Sequence, residues 1–126
     1  MLLDNFQTEV GMWGEAVFPE ATLQTITAHL LEEALELYGV PNHLIESVMD
    51  QAYLARHDNK AGVNLEEAAD CFLLLLHLCH KRNEWLSMLA GAKLAINKHR
   101  VWKPDPVKAG HWKHDPAQEY GVTKQG

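Results

Sequence analysis

The chain has 126 residues, 47% of them hydrophobic and 22% charged, which is the composition of one globular domain and excludes an intrinsically disordered protein. A formal charge of −6 and a pI near 5.7 exclude the basic face that non-specific binding to duplex nucleic acid requires. The longest apolar stretch, residues 71–76, is far too short to span a bilayer, and residues 1–4 carry no basic, apolar leader pattern, so no membrane partner and a cytoplasmic location are expected.

Val, Ile and Thr nowhere alternate with polar residues over a useful length, whereas apolar residues recur at helical spacing. The expectation is a single all-α domain over residues 1–126. A first helix is predicted over 4–17, weakened by Gly11 and Gly14 and stopped at Phe18-Pro19. A second spans 22–38, with Leu23, Ile26, Leu30, Ala34 and Leu37 on one face and Gly39 then Pro41 to end it. A third spans 42–56, and residues 57–62 read as a loop. The fourth opens at the N-cap Asn64, with Glu67 placed to complete a capping box. It runs to about residue 81 and is apolar nearly all round, which predicts a central helix. A fifth, amphipathic helix spans 83–99. From about residue 101, Pro104, Pro106, Gly110, Pro116 and Gly121 predict an irregular tail, rich in aromatic and basic groups, that closes over a site. Cys71 and Cys79, eight residues apart on one helix, lie about 12 Å from each other, too far for a disulfide, and read as reduced core thiols.

The carboxylates carry the chemical signal. Asp70 is the only formal charge between Ala68 and Cys79. A buried carboxylate there must be paired, protonated or bound to a metal. Glu67 precedes it by one turn, about 60° away on the same face. Glu33 and Glu36 repeat that spacing on the second helix, and Glu33 borders its apolar face. Two antiparallel helices with two inward carboxylates each build an oxygen cage suited to Mg²⁺ or Mn²⁺. On the fifth helix Lys93, Asn97 and Arg100 follow at i, i+4 and i+7, a point charge, an amide and a planar fork that together suit phosphate.

With these residues the chain resembles the MazG-like all-α nucleoside triphosphate pyrophosphohydrolases. Their pattern is EExxE followed, on a later helix, by ExxD; here it reads Glu32-Glu33-Ala34-Leu35-Glu36 and Glu67-Ala68-Ala69-Asp70. More narrowly, the chain is similar to the dATP/dGTP pyrophosphohydrolase (MazZ-like) branch through Trp13, Phe18-Pro19, His29, the Lys93, Asn97 and Arg100 row, Trp102, and His111 or His114. The resemblance covers about residues 6–114, and the stretch 37–66 between the motifs is slightly longer than the family's usual spacing. It implies a four-helix core, here with an extra N-terminal helix, assembled as a homodimer or homotetramer. It implies two or more Mg²⁺ or Mn²⁺ ions per site and hydrolysis of a (d)NTP, purine favoured and dGTP or GTP first, to (d)NMP and pyrophosphate. By the same resemblance Glu33, Glu36, Glu67 and Asp70 are metal ligands, and Glu32 orients an ion or a water. Lys93, Asn97 and Arg100 hold phosphates, while Trp13, His29, Trp102 and His111 are candidate base or lid contacts. If the chain is phage-encoded, its location is the host cytoplasm.

Rival patterns are thinner. His77-x-x-His80 and His111-x-x-His114 each offer two zinc ligands without a convincing second pair. His57-Asp58 resembles the signature of the histidine–aspartate metal phosphohydrolases, but as one dipeptide in a predicted loop. A non-enzymatic helical interaction module leaves Asp70 unexplained.

Overall fold

The computed structural model of the chain describes residues 2–58, 62–105 and 112–115. Five helices follow one another: α1 (Leu3–Val17), α2 (Leu23–Tyr38), α3 (Asn42–Asp58), α4 (Leu65–Lys81) and α5 (Leu86–His99). Two short strands follow, β1 (Trp102–Pro104) and β2 (Trp112–His114). The chain is mostly helical, as its apolar periodicity predicts.

The helix ends show which local signals decided them. α1 runs through Gly11 and Gly14 and stops where the Phe18 N–H bonds back to the Gly14 carbonyl, ahead of Pro19. α2 opens on a reciprocal cap: the Thr22 hydroxyl accepts from the Thr25 N–H at 3.2 Å, and the Thr25 hydroxyl accepts from the Thr22 N–H at 2.8 Å. It closes on Gly39, whose φ of 97° only glycine adopts without strain. There the Gly39 and Val40 N–H groups return to the Leu35 carbonyl. Pro41 then accepts from the Leu44 and Ile45 N–H groups, so α3 starts at once and packs on α2 as a tight hairpin.

Three expected boundaries need correction. α3 continues through His57 and Asp58, so this dipeptide closes a helix instead of lying in a loop, and Arg56 and His57 complement the dipole of its last turn. The N-cap of α4 is one-sided: Asn64 Oδ1 accepts from the Glu66 N–H at 3.0 Å, while the Glu67 N–H goes to the Asn64 carbonyl at 3.2 Å. α5 begins at Leu86 rather than residue 83, because Asn83 takes a left-handed φ of 56° in the turn after α4.

α4 is not a central, buried helix within one chain. It packs on α5, yet Leu73 is 60% and Leu74 68% exposed, and Asp70 and Cys71 are exposed too. The thiols are free, and neither is a core thiol. Among the described residues the buried apolar side chains are Ile45 and Met49 on α3 and Leu94 on α5, with Met49 the one fully buried. No helix among the described residues is long and apolar enough to cross a membrane.

The tail is not wholly irregular. β1 and β2 pair antiparallel, with Trp102 opposite His114, and the Asp115 N–H bonds to the Val101 carbonyl at 2.8 Å. Trp102 anchors this hairpin. Its ring meets Phe18 at 5.2 Å, Trp13 at 6.2 Å and His114 at 5.7 Å, all edge to face, and its Nε1 donates to the Asn97 carbonyl at 2.9 Å. A Lys98–Glu9 ion pair of 2.7 Å ties α5 to α1 on the same side. Replacing Trp102 by Phe keeps the ring contacts but removes one of the two donors to the Asn97 carbonyl, leaving the Arg100 N–H, and should lower unfolding free energy by about 1 kcal/mol. Trp102→Ala also empties the aromatic cluster and should cost about 2 kcal/mol or more. Urea denaturation at fixed protomer concentration measures both; equal loss in the two variants would mean that the ring contributes nothing.

Candidate functional site

Glu32, Glu33 and Glu36 share the C-terminal half of α2, each set one turn from another by the helix repeat. His29 Nε2 lies 3.5 Å from Glu33 Oε1 across the same face. Partial dehydration raises the pKa of Glu36 above the ordinary glutamate value, reinforced by the charge of Glu33, a hydrogen bond with that carboxyl and the charge of Glu32. His29 pulls weakly in the opposite direction.

The hairpin adds two residues that periodicity did not single out. Asn42 and Glu46 of α3 line a small polar recess of about 260 Å³ together with Ile45, Glu32 and Glu36. The signal for them lay in Gly39 and Pro41, which fold the first turn of α3 back alongside the end of α2.

Glu67 and Asp70 lie one turn apart on α4, both exposed. The expected four-carboxylate cage is not assembled inside one chain: among the described residues no three His, Cys, Asp or Glu side chains stand together as a metal-holding group. The ends of the two helices explain this. A cleft of about 620 Å³ is lined by Ala34, Leu37 and Tyr38 of α2 and by Leu78, Cys79 and Arg82 at the end of α4. The C-terminal halves of α2 and α4 therefore converge, which places Glu33 and Glu36 level with the wrong end of α4. Asp70 lies eight residues before Leu78, about 12 Å along the helix axis. The donor chemistry, carboxylate oxygen throughout, fits a hard divalent cation, but one chain presents it as two separate pairs.

The basic row is also reshaped. Lys93 is exposed on α5 and Asn97 is half-buried on the same helix. Arg100 has left the helix for an extended backbone, with φ −83° and ψ 152°, so the i+7 relation does not hold. Its guanidinium instead reaches back, Nη1 donating to Asn97 Oδ1 at 3.2 Å. Trp13 and Trp102 come together, in the aromatic cluster with Phe18 and His114. His111 lies outside the described residues.

Comparison with family models, with curated proteins and with solved structures gives no match to this chain.

The charge on Glu36 makes a pH-dependent prediction. Its folded-state pKa is raised, so the neutral carboxyl favours the fold at low pH, and that contribution is lost as pH rises through the folded value. Glu36→Gln should therefore raise the melting temperature of the metal-free protein at pH 7 by about 1–3 °C, the effect of one like-charge contact on a helix. The gain should vanish below about pH 4, where glutamate is protonated in both states. Thermal unfolding followed by circular dichroism across pH checks this, and a gain that persists at low pH would assign it to something other than charge.

Proposed function

We propose that this chain is a metal-dependent nucleoside triphosphate pyrophosphohydrolase of the MazG-like kind, converting a purine (d)NTP, dGTP or GTP preferred, to (d)NMP and pyrophosphate. The observation that carries the reading is the polar recess where Glu32 and Glu36 of the EExxE segment on α2 meet Asn42 and Glu46 of α3, an oxygen-rich cluster of like charge beside Glu33. The matching pair Glu67 and Asp70 on α4 adds the same chemistry at the same spacing. The half-buried Arg100, held by Asn97, adds a fork for phosphate oxygens.

In this reading Glu33, Glu36, Glu67 and Asp70 would hold Mg²⁺ or Mn²⁺, two ions or more. When bound, the metal neutralises the triphosphate and makes water more acidic. Glu32, adjacent to the pair, orients the attacking water and accepts its proton. Water adds at the α-phosphorus, the α–β phosphoanhydride bond breaks, and pyrophosphate leaves with the electron pair. Lys93 and the Arg100 guanidinium balance the charge that gathers on the departing oxygens. Neither cysteine is needed as a nucleophile.

Product analysis across the eight common (d)NTPs, with Mg²⁺ and with Mn²⁺, tests the assignment. Monophosphate and pyrophosphate are the expected products, with purines turned over fastest. Glu36→Gln and Asp70→Asn each remove a ligand charge while nearly preserving shape, and should lower kcat by on the order of 100-fold or more with helical content unchanged. His57→Ala at the end of α3 should leave turnover within a few-fold. Full activity in Asp70→Asn, or release of inorganic triphosphate with free nucleoside, would overturn the reading. Equal turnover of dCTP and dTTP would remove only the purine preference.

A further inference from the structure

We propose that Trp102 is a positioning residue for anion binding: its indole and the tail hairpin around it lock the Arg100 guanidinium in place, so that phosphate affinity at the end of α5 depends on a ring that touches neither phosphate nor base. The use of that fork for a triphosphate rests on the pyrophosphohydrolase reading; the lock itself is argued from contacts.

The lock is built on three consecutive residues, each of them tied. The Arg100 N–H donates to the Asn97 carbonyl at 3.2 Å, and Trp102 Nε1 donates to the same oxygen at 2.9 Å. Between them the Val101 carbonyl accepts from the Asp115 N–H at 2.8 Å, the bond that closes the hairpin. The Arg100 side chain is tied as well: Nη1 donates to Asn97 Oδ1 at 3.2 Å, and Nε is buried. A guanidinium is planar, so holding Nη1 at Asn97 with Nε buried sets the direction in which the rest of the fork points. Swinging the indole away from α5 breaks one of these ties and loosens the exit from the helix on which the others depend.

Packing explains why the indole stays. Its ring meets Phe18, Trp13 and His114, each edge to face. Trp13 lies on α1 and Phe18 caps that helix, and the Lys98–Glu9 ion pair holds α1 against α5 at the residue next to Asn97. The N-terminal helix therefore braces the far end of the chain where Arg100 leaves α5. Trp102 spends its ring on these neighbours and its single donor on Asn97, so its work is packing rather than stacking on a base. An arginine ordered in advance has less freedom to lose on meeting phosphate, which is worth roughly 2- to 12-fold in affinity for one long side chain.

The experiment uses the full chain and inorganic tripolyphosphate, which has no base to stack. Calorimetric titration at low temperature, with and without Mg²⁺, reads its affinity, and circular dichroism checks that each variant keeps its helical content. Arg100→Ala should weaken binding by on the order of 10-fold or more. Trp102→Ala should weaken it by roughly 2- to 12-fold, but by less than about 2-fold in an Arg100→Ala background, because the ring acts through the fork. Phe18→Leu, on the α1 side of the cluster, should act in the same direction and carries the test if Trp102→Ala does not fold. Trp102→Phe, which keeps the ring, should recover most of the loss. In nucleotide turnover KM should rise by the same factor as the tripolyphosphate Kd, with kcat changed less. A loss seen with nucleotide and not with tripolyphosphate would make Trp102 a base contact and overturn the proposal. So would an equal loss in both Arg100 backgrounds, unchanged affinity in Trp102→Ala and Phe18→Leu, or a wild type that binds no tripolyphosphate. If tripolyphosphate binding follows the expected pattern but no nucleotide is hydrolysed, the function falls and the lock stands. If nucleotide is hydrolysed and the Trp102 variants keep the wild-type KM, the function stands and the lock falls.

Discussion

A helix that is apolar nearly all round needs neighbours on every side, and among the described residues α4 packs chiefly on α5. From Cys71 to Leu76 it carries six apolar residues in succession, so no rotation about its axis hides them all against α5. The rest of the architecture follows from how the other helices answer the same demand. α2 and α3, joined through Gly39 and Pro41 with no slack, cover each other well enough to bury Ile45 and Met49. α5 turns Leu94 inward and ties its last turn to α1 and the tail hairpin. What is left over is an open seam along α4 and the outer face of α2. A chain of this length ordinarily buries roughly two-thirds of its unfolded surface. Among the described residues nothing covers that seam in the single chain.

Local chemistry explains how much of this was legible in the sequence. The five helices follow from 3.6-residue periodicity, and their sharp ends from Pro19, Gly39 and Pro41, each of which constrains the backbone at its own position. What periodicity could not carry was the environment. The apolar circumference of α4 implied burial, but hydropathy does not say whether the cover comes from the same chain. The end of α3 was misplaced because His57-Asp58-Asn59 has the composition of a turn, while the helix dipole favours Arg56 and His57 where they stand. The two strands are three residues each, too short for alternation to register, and they are fixed instead by Trp102.

The site was legible in its residue types and less so in its arrangement. The spacing of Glu33 and Glu36 ensures that they meet wherever α2 lies, and their mutual repulsion is a local consequence of that spacing. Glu46 and Asn42 join Glu32 and Glu36 only because the α2–α3 turn is tight, which is tertiary information. The relation between the α2 and α4 pairs is tertiary too. Equal i, i+3 spacing on two helices says that both can present carboxylates, and nothing about whether those helices run at matching heights.

Asn97 shows how the phosphate-binding candidates and the tail depend on each other. Its carbonyl, one of the last in α5, accepts both the Arg100 backbone N–H at 3.2 Å and the Trp102 indole N–H, while its side-chain oxygen takes the Arg100 guanidinium. Both side-chain bonds require the chain to leave the helix at Arg100 in extended form, since a further helical turn would carry Arg100 and Trp102 away from Asn97. The hairpin that follows, closed by the Asp115 N–H on Val101 and by the Lys103–Asp115 ion pair of 2.9 Å, holds Trp102 in the aromatic cluster and so holds that exit in place. The position of the Arg100 fork is thereby set by packing between Trp13, Phe18 and Trp102, residues from both ends of the described chain. A guanidinium fixed in this way loses less freedom on meeting phosphate than one on a free side chain. The aromatic residues thus act on the anion-binding end of α5 through its backbone, whether or not a nucleotide base ever stacks on them.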